Sequence, residues 1–415
     1  MKRIVLTFIG VAMSLSLLAQ NGPAVISSNK HKIVFGENTK ARAELFLPQV
    51  NDYTIYKADL HTHTIYSDAH LSPRARVEEA YYDGMDIIAI TDHMEYRTNE
   101  AKFLKATEGY HKRLPEPINA TVSRYPADKR GFMVDLNISW QEAQNYSQRF
   151  DVMVIPGVEI SREQDSIGHF NALFIKDINK IYDADPEKTI RNARKQGALI
   201  VHNHPMHRDP ETREPTSDKN KLQKKLYADG LIDGIELVNG YTFVPKLMKR
   251  CLDEKLFVVG ATDAHGTTAP GYTHRGYFRT CTFILAKERT PEAVREALEQ
   301  RRTMAYVANN VIGDQPLLKD LFLASMRIEV RSVNQKGERT LAFTNTSSIP
   351  FEFRYNKRSP IVKVEPFHTA TVKVAEGKNL AFSIMNMWCS TEKNPDGTHP
   401  YLRIKLDSDK IVSIE

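Results

Sequence analysis

The sequence predicts an α/β fold in which βα units close into a barrel, followed by a small all-β domain. Three observations carry the expectation. From about residue 52 to 312, short apolar runs alternate with helical stretches, the pattern of βα units on a mostly parallel sheet. Histidine and carboxylate residues recur where those runs give way to loops. On a β/α barrel the carboxyl ends of the strands share one mouth, so side chains placed there can converge. Beyond residue 320 the texture changes to alternating segments rich in β-branched and aromatic residues.

The apolar runs fall at 86–90, 152–158, 198–201, 235–238, 256–259 and 282–285. Several helices between them announce their ends. Asp185 can cap, Pro186 suits a first turn and Gly197 stops that helix; Ser72-Pro73 and Thr290-Pro291 mark two further starts. The stretch from about 95 to 150 is too long for one βα connection. It holds Pro115, Pro117 and Pro126 and then an amphipathic helix around 135–150, and it reads as an insertion over the barrel mouth. The loops 206–220 and 266–280 are functional by position. In the C-terminal part, 341–345, 351–355, 370–374 and 402–406 read as strands, with turns at Gly377 and Asp396-Gly397. This makes 320–415 a β-sandwich-like domain. It carries only His368 and His399 of the 14 histidines, so the chemistry is expected before it.

Residues 1–20 read as a secretory signal: Lys2 and Arg3, an apolar run over 4–18, then Ala19 and Gln20. The run is too short for a comfortable membrane span. The expectation is an exported protein, periplasmic or extracellular, with no membrane attachment once the signal is removed; 21–51 is a lead-in to the barrel. A hydrophobic content of 41% with 26% charged residues describes a globular chain. The net charge of +6 comes without a dense Lys/Arg run interleaved with aromatics, so nucleic acid is not expected as a stable partner. Cys251, Cys281 and Cys389 are too few for a disulfide framework and read as quiet buried thiols.

The chemistry lies in one ordered set: His61 and His63, Asp68, Asp92-His93, Glu159, His169, His202 and His204, Asp263 and His265. His61 and His63 are two apart on an extended segment, which puts both imidazoles on one side. Asp59 has the same parity and, with Asp92, is expected to support ligands rather than to be one. Any single pair is weak; five groups at successive strand ends are not. Imidazole and carboxylate donors without a thiolate suit two to three divalent ions such as Zn²⁺, Mn²⁺ or Fe²⁺.

The set resembles the polymerase and histidinol phosphatase (PHP) family of metal-dependent phosphoesterases. The stretches that carry the resemblance are Ala58-Asp59-Leu60-His61-Thr62-His63 with Ser67-Asp68, Ile90-Thr91-Asp92-His93, Gly157-Val158-Glu159-Ile160 with Gly168-His169-Phe170, Val201-His202-Asn203-His204-Pro205, and Thr262-Asp263-Ala264-His265. Together they span roughly 55–310. The resemblance implies a distorted (β/α)7 barrel with a trinuclear metal centre at its mouth. Carried over, His61, His63, Glu159 and Asp263 would hold one ion. Glu159 would bridge to a second held by His169 and His204, and Asp68, His93 and His265 would hold a third. The family's His-Pro favours His204, leaving His202 as an alternative ligand or a proton-transfer group.

Such ions lower the pKa of a bridging water and neutralise phosphoryl oxygens during in-line attack. Arg275, Arg279, His274 and Lys102 are candidates to add positive charge for the substrate phosphate; His70 and His207 read as bystanders. The resulting expectation is an exported phosphodiesterase acting on small anionic organophosphates. A phosphomonoesterase or nucleotide-directed enzyme of the same family is the alternative. From another class, a metal-stabilised module binding a glycan or a protein remains.

Overall fold

The computed structural model describes residues 25–26, 33–34, 41–99, 135–161, 167–208, 215–355, 358–375, 380–389, 401–406 and 411–414. The expected signal, most of the 95–150 insertion, Lys102, Gly377 and Asp396-Gly397 lie outside them. The chain divides into two compact units at Ala43. In the first, β1 (Val25–Ile26) pairs antiparallel with β2 (Ile33–Val34). All other elements belong to the second.

There β3 (Thr54–Asp59), β4 (Ile87–Ile90) and β5 (Met153–Ser161) run parallel, side by side. β6 (His169–Leu173) lies antiparallel between β5 and β7 (Leu199–Asn203). β8 (His207–Arg208) and β9 (Pro215–Thr216) form a separate short ladder. β10 (Gly234–Asn239) is parallel to β7 and turns back into the short β11 (Thr242–Phe243). β12 (Phe257–Ala261) continues in parallel on β10. Beyond β3, β13 (Cys281–Ala286), β14 (Thr303–Val307) and β15 (Asn310–Gly313) follow antiparallel. β12 is also knitted to this other flank. The Gly260 N–H donates to the Thr282 hydroxyl at 3.0 Å, the Val258 N–H to the Thr303 hydroxyl at 2.8 Å, and Ala264 bridges Thr62 in parallel.

The apolar runs become strands because both faces are covered: β4, β7, β12, β13 and β14 are buried at every position. Gly260 permits a close approach of β12 to β13 and β14, since a Cβ there would stand 2.8 Å from that of Ala305 and 2.9 Å from the Cys281 carbonyl. The helix starts follow the expected chemistry. Ser72 accepts from the Ala75 N–H ahead of helix Pro73–Tyr82, Asp185 from Glu187 ahead of Pro186–Lys195, and Thr290 from Ala293 ahead of Pro291–Glu299. The helix expected around 135–150 spans Ile138–Ser147.

The sheet is less parallel than the apolar runs suggested, and connection length explains part of the difference. Only 162–168 separate β5 from β6, too few for a parallel crossover. Between β14 and β15, Ala308 (φ 44°) and Asn309 (φ 65°) make a two-residue turn that folds the chain straight back.

The C-terminal region is β-rich, as expected. β16 (Met326–Val333), β17 (Arg339–Asn345) and β20 (Thr369–Val374) form a three-stranded antiparallel sheet. β18 (Phe351–Arg354) pairs with β19 (Val362–Val364) and with β21 (Leu380–Trp388); β21 continues to β22 (Tyr401–Leu406) and β23 (Ile411–Ile414). β21 also pairs in parallel with β15, so this region continues the first sheet rather than hanging from a linker. Helix Gln315–Ser325, not anticipated from the sequence, sets Leu318, Leu321 and Phe322 into the join. The Phe322 ring meets Phe351 edge-on at 5.4 Å and Phe353 at 5.7 Å; Phe353 also packs on Phe343 and Phe382. All three cysteines are buried outside any disulfide, and burial holds the thiols of Cys251 and Cys281 above their ordinary value. No helix among the described residues is long and apolar enough to cross a membrane.

Because Phe353 is 1% exposed and touches three other rings, Phe353→Ala is expected to cost about 3–5 kcal/mol, read as a lowered urea midpoint.

Candidate metal centre

The centre is assembled where β3, β4, β5, β7 and β12 end. Past β3 the chain stays extended, so His61 and His63 face one side while Thr62 faces the other. The Thr62 hydroxyl donates to the Ala89 carbonyl, fastening that side to β4. The Nε2 atoms of His61 and His63 stand 3.0 Å apart. Glu159, near the end of β5, sits among five imidazoles. Its Oε1 lies 3.3 Å from His61 Nε2, 3.3 Å from His169 Nδ1 and 3.5 Å from His204 Nε2; Oε2 lies 2.6 Å from His93 Nδ1 and 3.7 Å from His63 Nε2. Asp263 Oδ1 reaches His63 at 3.0 Å and His61 at 3.3 Å. Asp68 Oδ1 reaches His265 at 3.2 Å and His93 at 3.7 Å.

Among the described residues, three groups have ligand atoms close enough to share a cation: His63, Asp68, His93 and His265; His61, Glu159 and His204; His61, His63 and Asp263. This differs in detail from the expected partition, because His63 joins the Asp68 group. His169 approaches Glu159 and lies in none of the three. The residues fit a set of divalent ions. His63 Nδ1, His93 Nδ1, Glu159 Oε2 and His169 Nδ1 are buried with no partner in hydrogen-bond geometry. Nitrogen and oxygen atoms in that condition are what a cation satisfies.

Burial alone would discharge every group here, and neighbouring charges decide the outcome. Burial pushes His61 down, yet Asp263, Glu159 and Glu236 hold it well above its ordinary value. His93 and His204 rise against burial chiefly through Glu159, and His265 is raised to about 9 by its bond to Asp68. His63 moves the other way, to about 4, because burial and the adjacent His93 both oppose its charge. Glu159 and Asp263 lie well below the usual carboxylate range; burial opposes this, but the surrounding imidazoles prevail.

His204, not His202, enters the cluster. Along β7, Asn203 faces Glu159 and donates to Oε1 at 2.7 Å, which puts His202 on the opposite face. There His202 stacks on Phe170 and its Nδ1 lies 2.9 Å from the Tyr227 hydroxyl. Strict alternation would send His204 the same way, but its φ of 24° breaks the pattern. Asp263 is likewise turned inward at φ 54°.

Arg279 needs correction as a substrate cation. It is 1% exposed and donates from Nη2 and Nε to Asp59 at 2.6 and 3.0 Å, and from Nη1 to Asp83. It therefore neutralises Asp59, which also accepts from the Thr262 N–H and hydroxyl just ahead of Asp263. His274 and Arg275 are exposed on the 266–280 loop, with the Arg275 guanidinium over the Tyr241 ring. Asp92 accepts from the Thr64 N–H and from the Thr64 and Ser67 hydroxyls, shaping the turn that presents Asp68. His70 contributes its backbone N–H to the His265 carbonyl, and β8 carries His207.

Two supporting residues escaped the sequence reading. Glu236 is 2% exposed in β10; its Oε1 lies 2.9 Å from His61 Nδ1, and its Oε2 accepts the His204 N–H at 2.6 Å. A carboxylate on the outer nitrogen keeps a proton there and leaves Nε2 for the cluster. The signal was a glutamate inside the otherwise apolar run 235–238. Arg76, 0% exposed, donates to the carbonyls of His63, Ala264 and Gly266 and to Glu79, so one guanidinium ties the His63 and His265 segments together. Its signal was a charge on the buried face of helix Pro73–Tyr82, beside Val77 and Ala80.

A cavity of about 320 Å³ opens onto His204 and Asp263 and is walled by Pro205, Met206, Thr242 and Val244 among others.

The model of the PHP domain family matches residues 59–244. The chain carries a PHP domain. The match ends short of Asp263 and His265, which the fold nevertheless brings to the cluster. A two-domain protein from Bacteroides vulgatus, containing a predicted PHP-like metal-dependent phosphoesterase, is 29% identical. It superposes with a TM-score of 0.71 over 88% of this chain and 99% of its own. A candidate metal-dependent phosphoesterase from Bifidobacterium adolescentis is more distant, at 17% identity and a TM-score of 0.35, covering 59% of this chain and 96% of its own. No curated protein matches the chain. The PHP match over residues 59–244 and the His/Asp/Glu clusters agree on a PHP-like metal-binding site.

Two outcomes are expected. Glu236→Gln should weaken metal binding by about 10–100-fold, measured against a competing chelator, with circular dichroism unchanged. Glu79 is held below its ordinary value of 4.5; burial opposes this, but Arg279 and Arg76 prevail. A depressed carboxyl stabilises the fold above its unfolded-state pKa and loses that contribution as pH falls through the folded value. The stability gap between wild type and Glu79→Gln, from urea unfolding, should therefore be full near pH 6 and shrink below about 4.5.

Proposed function

We propose that the protein is an exported hydrolase of small phosphodiesters, working with two or three divalent ions in a closed β/α barrel. Glu159, buried at the meeting point of five imidazoles, is the observation that carries the reading. His61, His63, Asp263, His204, His93, Asp68 and His265 are the further ligands proposed, with His169 completing the Glu159 side. Ions bound there would supply a hydroxide at neutral pH and charge neutralisation for phosphoryl oxygens.

The chain's own residues do the rest. Glu236 holds the proton on His61 Nδ1, and the Asp263 carbonyl, 2.8 Å from His265 Nδ1, does the same there. Each keeps an Nε2 lone pair aimed inward. Arg76 and the Arg279–Asp59 pair hold the strand ends that carry the ligands. His265, Asp263, His204 and Asp68 retain 37, 22, 19 and 14% side-chain exposure, whereas His61, His63 and Glu159 have none, so substrate approaches from the former side. Burial of Arg279 removes one expected cation from that side, which favours a diester with one negative charge over a monoester with up to two.

Removal of the 1–20 signal would deliver the enzyme to the periplasm or beyond. Mature protein loaded with Mn²⁺ or Zn²⁺ should contain two to three equivalents by elemental analysis and hydrolyse bis(p-nitrophenyl) phosphate faster than p-nitrophenyl phosphate. Glu159→Gln should lose metal and at least about 10²-fold in kcat/KM, the scale of removing a group that holds the catalytic charge. A metal-free protein, or a loaded one inert to both esters, overturns the reading; faster monoester turnover moves it to a phosphomonoesterase.

A further inference from the structure

The cavity beside the cluster has a definite chemistry that the phosphoester reading leaves unassigned. One end is formed by His204 and Asp263, each a member of a candidate ion-binding group. The remainder is built by two backbone segments. The tight hairpin between β10 and β11 supplies Asn239, Thr242 and, just beyond it, Val244; the turn after β7 supplies Pro205 and Met206. Both segments are pinned. The Met206 N–H bonds the His204 carbonyl at 2.6 Å, and the Val244 N–H bonds the Leu237 carbonyl at 3.3 Å. Asn239 donates to Glu236 at 3.1 Å and to Asp263 at 3.3 Å, so its side chain is tied to the wall rather than turned outward.

Charge decides what this space accepts. Among the described residues its lining holds the carboxylates Glu236 and Asp263 and neither a lysine nor an arginine. Beyond the His204 end, a second anionic group on the ligand would find no cationic partner among those residues, with Glu236 and Asp263 opposing it. Pro205, Met206, Leu237 and Val244 offer apolar surface, and Met206 adapts readily to the shape of a ring or short chain. At about 320 Å³ the space stands at the small end of the range for small-molecule sites, enough for one compact organic group.

Resting on the phosphoester reading above, the geometry points to this cavity as the subsite for the substrate's organic group: a neutral, apolar alcohol or aryl moiety seated between Met206 and Val244 while its phosphoryl oxygens face His204 and Asp263. The enzyme therefore selects uncharged aryl or alkyl esters. Nucleoside polyphosphates and phosphorylated sugars carrying a second anion are disfavoured.

The test is binding, not turnover. Mn²⁺-loaded protein is titrated calorimetrically with inorganic phosphate, methylphosphonate and phenylphosphonate. Phenylphosphonate is expected to bind at least about 10-fold more tightly than methylphosphonate, the scale on which apolar pockets discriminate. In Val244→Asp and in Met206→Gln the phenyl-to-methyl ratio should fall towards one. A ratio taken within each variant cancels any general change in metal or phosphate binding. Equal affinity for the two phosphonates in wild type, or a phenyl preference that survives both substitutions, overturns the subsite while leaving the phosphoesterase reading intact. Failure of all three probes to bind the loaded protein overturns both.

Discussion

A carboxylate with no exposure to water and five imidazole rings within 3.7 Å sets the terms for the rest of this molecule. Neither partner could be buried alone. An isolated ionised carboxylate costs many kcal/mol to desolvate, and imidazolium pays a similar penalty. Together they keep the carboxylate ionised, but the arrangement also leaves ring nitrogens crowded against one another, as with His61 and His63. That crowding is tolerable only with cations between them or protons shared among them. The centre is thus a place where folding energy has been given up for function, and the surrounding structure must hold it in place.

The holding is done by a second layer of buried charge. Arg279 neutralises Asp59, Arg76 grips three backbone carbonyls, and Glu79 and Asp83 connect the two guanidiniums to Thr268. An apolar replacement of similar volume could often match such a network in stability. What an apolar core could not do is fix the direction of carbonyls and strand ends to a fraction of an ångström. Guanidinium is suited to the task because its donors are planar and rigid. The network connects helix Pro73–Tyr82, the end of β3 and the loop after β12, the segments that carry His61, His63, Asp263 and His265.

Distance from this centre changes the physics. In the C-terminal region stability comes from edge-on and tilted aromatic rings around Phe353, with little buried charge among the described residues. Pairing of β21 with β15 transmits that packing directly into the sheet that bears the ligands. The region acts on the centre as a support for one flank of the sheet, and no ligand in the proposed set comes from it.

The sequence by itself located the apolar runs that became strands, the helix starts at Pro73, Pro186 and Pro291, and the donor residues from which the cluster is drawn, but not helix Gln315–Ser325. Each of these depends on local rules: strand alternation, capping side chains, and donors placed at the ends of apolar runs. What required the tertiary structure was direction and partnership. Alternation predicts that His202 and His204 face the same way, but a positive φ at His204 reverses it, and such a conformation is held by contacts rather than by the residue's own preference. Arg279 and Arg275 are alike as residues in one loop; only the position of Asp59, 220 residues away, buries the first and leaves the second outside. Glu236 and Arg76 were visible as charges in apolar surroundings, yet their partners lie 175 and up to 190 residues distant, a separation that periodicity cannot bridge.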